Sequence, residues 1–238
     1  MRAPPERPEL PERHELLRLD PAGWSELLHR RPDLAALPAV QAWSRSAYPV
    51  MCRRRLPDDP VEFWPAAIAL PPSQGRLRLG LTLRPEHVAG VAPPPLLQEA
   101  LEGNMVGKLP DAWRARSELA LAAGGHFGFA PRLFGSAMWQ CVTGLAYVRD
   151  SSDLDLLWPV LPRADAAMQL AGLLQALARI DREAAGPRLD GEIVFASVGA
   201  VNWKELVSAG QDDDILVKTR TDVRIMTRAQ LAGLAACA

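Results

Sequence analysis

The 25 residues from Phe134 to Trp158, FGSAMWQCVTGLAYVRDSSDLDLLW, restrict the architecture more than any other stretch of the chain. Along an extended strand, residues two apart share a face. Asp153 and Asp155 therefore point one way, and Leu154 and Leu156 point the other, into a core. Two carboxylates held side by side repel unless a cation lies between them. Mg2+ suits that position, because it takes hard oxygen ligands and is usually held by one or two carboxylates together with substrate phosphates. Upstream, Gly135-Ser136 follows an apolar strand end and opens a predicted helix. Such a turn leaves backbone N–H groups free where the helix dipole favours a phosphate, and glycine allows close approach.

The remainder of the chain supplies a scaffold. Its 238 residues correspond to about 1.6 average domains, meaning one large domain or two modest ones. Residues 1 to about 15, rich in Pro, Glu and Arg, read as an extended lead-in. Asp20-Pro21 caps a short helix carrying Trp24, Leu27 and Leu28, and another short helix is expected over Val40–Ser46. Strands follow at Val50–Leu56, Ala66–Leu70 and Leu77–Leu83, the last with leucines alternating against Arg78, Gly80 and Thr82. The expected division is an N-terminal α+β module over 1–84, a Pro/Gly-rich linker over 85–110, and a second domain over 111–238.

In that last part, the pattern predicts a helix over Asp111–Ala123 stopped by Gly124-Gly125 and a strand over Pro131–Phe134. After the Asp-Leu-Asp strand, a long helix is expected over Asp165–Ala184, its apolar side formed by Met168, Leu170, Leu173, Leu174, Leu177 and Ile180. Strands at Leu189–Ala196, Ile215–Lys218 and Val223–Met226, with helices over Val201–Ala209 and after Thr227, complete a mixed sheet. The fold class is α+β, with a mixed α/β second part.

Further residues bear on chemistry. RLDGEIVF offers two more carboxylates, Asp190 and Glu192, on one strand face. Lysine occurs only at positions 108, 204 and 218. A lysine kept in so arginine-rich a chain stands out as a compact point charge, the alternative being an ordinary surface lysine. Asp212-Asp213-Asp214 reads as a solvated turn, and Arg53-Arg54-Arg55 as a strand with exposed arginines. Trp139 and Trp158 are either core residues or an adenine platform. Cys52, Cys141 and Cys237 form no CxxC pair, and the four histidines lack metal spacing, so reduced thiols and no zinc are expected. A net charge of −1 gives no attraction to nucleic acid or to an anionic membrane, and the start of the chain has no apolar signal region. A cytoplasmic protein is expected.

Taken together, Phe134-Gly135-Ser136 and Asp153-Leu154-Asp155-Leu156 resemble the hG[GS] and DhDh signature of the polymerase-β-like nucleotidyltransferases. The surroundings, with RLDGEI, GAVNWKEL and VKT downstream, resemble one branch of these: the malonate decarboxylase holo-acyl-carrier-protein synthases, or phosphoribosyl-dephospho-CoA transferases. The resemblance covers residues 111 to about 230, and the N-terminal part is compatible with it through its early helices and LRLGLTL strand; it implies a nucleotidyltransferase-fold catalytic domain over 111–238 and a 1–84 module that docks carrier or substrate. It further implies Mg2+ held by Asp153, Asp155 and Asp190, with Gly135, Ser136, Lys204 and Lys218 binding substrate. The implied donor is 2'-(5''-triphosphoribosyl)-3'-dephospho-CoA, the acceptor a serine of the acyl carrier subunit of malonate decarboxylase, and the leaving group pyrophosphate. Two alternatives stand beside it: a nucleotidyltransferase using an NTP on a small molecule or another protein, and a non-catalytic nucleotide-binding module.

Overall fold

Helix starts are the features that the chain encodes most locally. Asp20 accepts a hydrogen bond from the Gly23 N–H at 2.6 Å, and Pro21 takes the first helical position. The computed structural model describes residues 9–161, 164–196 and 198–237. It divides into two units, Met1–Pro93 and Pro94–Ala238. Among the described residues, no helix is long and apolar enough to cross a membrane.

The first unit runs β1 (Leu16–Leu19), α1 (Pro21–Arg30), α2 (Pro32–Ala35), α3 (Pro38–Arg45), β2 (Val50–Cys52), β3 (Trp64–Ala69), β4 (Arg78–Leu83) and β5 (Val88–Ala92). Its sheet has the order β4-β3-β2-β1-β5, with every pair antiparallel. Leu17, Leu27, Val40, Trp43, Val50, Ile68, Leu81 and Leu83 fill the core. Two of these strands, β1 and β5, go beyond the sequence expectation. The expected strand over Val50–Leu56 ends at Cys52, because Arg53 turns aside into an ion pair with Asp59 at 2.6 Å. Arg55 donates to the Pro60 and Phe63 carbonyls, so Arg53 and Arg55 brace a loop.

The second unit opens with α4 (Leu97–Leu101) and α5 (Arg114–Phe127), then β6 (Arg132–Leu133), α6 (Gly135–Thr143), β7 (Leu154–Val160), α7 (Ala166–Glu183) and β8 (Leu189–Phe195). It closes with β9 (Gly199–Asn202), α8 (Trp203–Ser208), β10 (Asp214–Lys218), β11 (Val223–Thr227) and α9 (Arg228–Cys237). The expected linker over 85–110 thus carries β5 and α4, and the unit boundary falls inside it, at Pro93-Pro94. Helix α5 runs through Gly124-Gly125 to the left-handed Gly128. Gly124 is instead a packing residue, since a Cβ there would lie 2.8 Å from the Phe129 carbonyl oxygen. Exposed Met168 stays out of the α7 apolar side, whereas Leu170, Leu173, Leu174, Leu177 and Ile180 are buried.

The sheet order is β11-β10-β9-β8-β7-β6, and β7 with β8 is the parallel pair, with α7 as its crossover. Gly191 lies inside this pair at φ +145°, where a Cβ would stand 1.9 Å from the Leu156 carbonyl oxygen. Any side chain here forces the two strands apart. Gly191→Ala is therefore expected to destabilise the protein by about 3 kcal/mol or more, seen as a lowered urea midpoint. An unchanged midpoint would contradict the close β7–β8 approach.

Candidate active site

Register brings the site together. Asp155 on β7 is the pairing partner of Asp190 on β8, and Leu157 is the partner of Glu192. Partners in parallel strands face the same side, so Asp155, Asp190 and Glu192 share one face while Leu154, Leu156 and Ile193 are buried beneath the other. The start of α6 closes against this face. The Phe134 N–H donates to the Asp155 carbonyl at 3.1 Å, which aligns the turn. Gly135 follows at φ +64°, and a Cβ on it would lie 2.1 Å from Asp155 Oδ2. Glycine is thus required for the helix start to reach the carboxylate, and Ser136 sits half-buried beside it in the first turn.

The neighbouring acids each have a basic or amide partner. Asp190 Oδ1 accepts from the Gly191 N–H at 2.8 Å and from Asn202 Nδ2 at 2.9 Å, and Asn202 Oδ1 in turn caps α8 through the Lys204 N–H at 2.8 Å. Glu192, only 4% exposed, accepts from Lys218 Nζ at 2.9 Å. Asp153 lies one residue before β7, where the Arg188 guanidinium grips it through Nε at 3.0 Å and Nη2 at 2.7 Å. Lys204 Nζ is held by Asp181 Oδ2 at 2.8 Å, away from the carboxylate pair's hydrogen bonds. The other Asp181 oxygen accepts from the Leu189 N–H at 2.7 Å and from buried Arg116 at 3.2 Å. Arg116 also donates to the Pro187 carbonyl at 2.7 Å and to the Ala184 carbonyl, fixing the chain that leads into β8.

Asp155 is different. Among the described residues its carboxylate has no hydrogen bond or ion pair. Burial pushes its pKa up to about 7, and the charges of Asp190, Asp153 and Glu192 act in the same direction against the opposing Arg188. This is a hard-oxygen donor set with uncompensated negative charge, and the residues fit Mg2+. Asp155 and the Oδ2 atom of Asp190 would hold it, with Asp153 and Glu192 engaged elsewhere. Among the described residues, three acidic, histidine or cysteine side chains do not stand together as a ready-made metal shell. Two carboxylates completed by substrate phosphates match the usual mode for this ion.

The other candidates separate from this site. Trp139 and Trp158 are buried, and Trp139 stacks on Tyr147 at 6.3 Å, so both are core residues rather than an adenine platform. Burial raises the Cys52 thiol to about 12 and Cys141 to about 11, which keeps both protonated and unreactive. Asp213 accepts from the Gly210 N–H at 2.7 Å within an exposed turn. Sequence reasoning missed Arg188 and Asn202. Asn202 carried a readable signal, a helix cap followed three residues later by Glu205. Arg188 carried none, since its position opposite Asp153 depends on the β7–β8 register.

Carboxylates on adjacent strands against a glycine-opened helix start make a site suited to a cation and a phosphorylated ligand. Comparison with known proteins gives the family. The N-terminal domain of the phosphoribosyl-dephospho-CoA transferase MdcG family matches residues 12–94, and its C-terminal domain matches residues 98–229. A phosphoribosyl-dephospho-CoA transferase of Bradyrhizobium diazoefficiens is 35% identical over 221 residues, covering 92% of each chain. Proteins of the same name from Xanthomonas campestris pv. campestris and Xanthomonas euvesicatoria pv. vesicatoria are 33% and 34% identical, covering 82% of this chain and 86% of theirs. No solved structure matches. The chain belongs to the phosphoribosyl-dephospho-CoA transferase family.

The raised Asp155 value has a consequence for stability. With the folded pKa above the unfolded one, the protonated carboxyl's contribution is complete below the unfolded value and is lost as pH rises through about 7. Asp155→Asn abolishes that loss. Relative to wild type, the variant should be on the order of 3 kcal/mol better off at pH 8 than at pH 5 in urea unfolding. A pH-independent difference between the two proteins would contradict the burial of this charge.

Proposed function

We propose that this chain transfers the phosphoribosyl-dephospho-CoA group from 2'-(5''-triphosphoribosyl)-3'-dephospho-CoA to a serine of the acyl carrier subunit of malonate decarboxylase. Family membership supports the transferred group, since the relatives carry that activity in their names. The observation that carries the chemistry is the Asp155 carboxylate, without a hydrogen-bond or ion-pair partner among the described residues and register-paired with Asp190 against the α6 start. The protein is then a Mg2+-dependent nucleotidyltransferase acting in the cytoplasm.

In this reading a bond forms between the serine Oγ and the α-phosphorus, and the bond from that phosphorus to the β-bridging oxygen breaks. Its electron pair departs with pyrophosphate. Such transfers need alignment and charge stabilisation more than covalent help from the protein. When bound, Mg2+ neutralises triphosphate charge and eases ionisation of the attacking hydroxyl. The serine proton passes to bulk water, while Asn202 and the Gly191 N–H hold Asp190 Oδ1 and so fix the carboxylate plane that would present Oδ2 to the cation. The N–H groups of the first α6 turn and the Ser136 hydroxyl receive the β- and γ-phosphates. Lys218 and Lys204 lend positive charge from their places on Glu192 and Asp181. Carrier docking is assigned to the first unit.

Incubating the full chain with the triphosphoribosyl donor, apo carrier subunit and Mg2+ tests this, with intact mass as the readout. The carrier should gain one phosphoribosyl-dephospho-CoA, and EDTA should prevent the gain. Asp155→Asn and Asp190→Asn should each slow transfer by about 100-fold or more. A carrier left unmodified by wild type, or modified at wild-type rate by Asp155→Asn, would refute the reading.

A further inference from the structure

Arg188 has a position that the proposed chemistry does not yet use. It is the residue before β8 as Asp153 is the residue before β7, and the Leu154–Leu189 register sets them side by side at one end of the strand pair. Its guanidinium makes a two-point fork on both Asp153 oxygens, at 3.0 and 2.7 Å. Its remaining nitrogen, Nη1, has no recorded partner among the described residues. The side chain is 66% exposed, so the pair stands in water and is easily opened. Arg188 opposes the rise at Asp155, and its own pKa is raised first by its hydrogen bonds to Asp153 and then by the charges of Asp153, Asp190 and Asp181. A planar fork that matches a carboxylate matches a phosphate equally well, and a polyphosphate brings more charge than one carboxylate.

Resting on the site reading above, we propose that Arg188 is a triphosphate-binding residue that holds Asp153 until the substrate arrives. When the guanidinium moves to the triphosphate, both Asp153 oxygens are released toward Asp155. The cation and the polyphosphate then favour each other's binding, because one residue's exchange serves both. Coupling of this sort is reciprocal by thermodynamic necessity.

Calorimetry on the full chain tests the exchange with two separate probes, Mn2+ alone and inorganic triphosphate alone. Arg188→Lys keeps the charge but loses the fork. It should bind metal-free triphosphate about tenfold more weakly and Mn2+ severalfold more tightly, since Asp153 is no longer gripped at two points. Arg188→Gln should move both affinities further in the same directions. Wild-type values for both probes in Arg188→Lys would show that only the local charge matters and would overturn the exchange. Weakening of both probes would overturn it as well, as a structural role would. Asp155→Ala separates this proposal from the site itself: loss of Mn2+ binding keeps the cation at Asp155, and retained Mn2+ binding would sink that placement whatever Arg188 does.

Discussion

A one-residue slip between β7 and β8 would turn Asp190 away from Asp155 and into the apolar layer. The arrangement of charge in the second unit depends on that register being held. Several devices hold it. Gly191 lets the strands approach where a Cβ would meet the Leu156 carbonyl. Arg116 and Asp181 together fix the chain from Ala184 to Leu189, so β8 begins at a set residue. Below the pair, Leu154, Leu156, Leu189 and Ile193 are fully buried and penalise any alternative alignment.

With the register set, the distribution of charge follows. Glu192 is compensated by Lys218, Asp181 by Lys204 and Arg116, and Asp153 by Arg188. Each pairing removes one carboxylate from competition and leaves Asp155 as a half-buried acid without a partner among the described residues. An unpaired buried charge is costly unless something compensates it. The pull of Asp190, Asp153 and Glu192 on Asp155 all runs toward neutralisation. In the proposed reading a divalent cation would answer that charge, and the α6 start would offer N–H groups to the anion that accompanies it. The helix start and the Asp155 carboxylate are matched through Gly135, which would make the proposed phosphate cradle and cation site one construction.

How much of this was legible in the chain differs from element to element. The Asp-Leu-Asp alternation and the Gly-Ser turn could be read because strand period and glycine chemistry act locally. Helix α7 could be read from its apolar spacing, and α1 from Asp20-Pro21. Strands β1 and β5 escaped because each is short and lies beside proline-rich sequence, where only pairing with a distant strand defines it. The Gly124-Gly125 pair was read as a helix stop, yet tight packing against Phe129 and Trp158 gives Gly124 its reason. In the site, the residue types were visible but their partners were not. That Asp153 is gripped by Arg188, and that Lys204 rests on Asp181, are consequences of a register and a crossover that a single sequence does not display.

In the proposed site Asp155 and Asp190 share a divalent cation facing the start of α6. Anomalous diffraction from crystals grown with Mn2+ and inorganic triphosphate tests it most directly. A peak is expected at about 2.0 to 2.2 Å from an oxygen of each carboxylate, with phosphate density at Gly135-Ser136. A Mn2+ peak bound elsewhere, with Asp155 and Asp190 both uncoordinated, would contradict it.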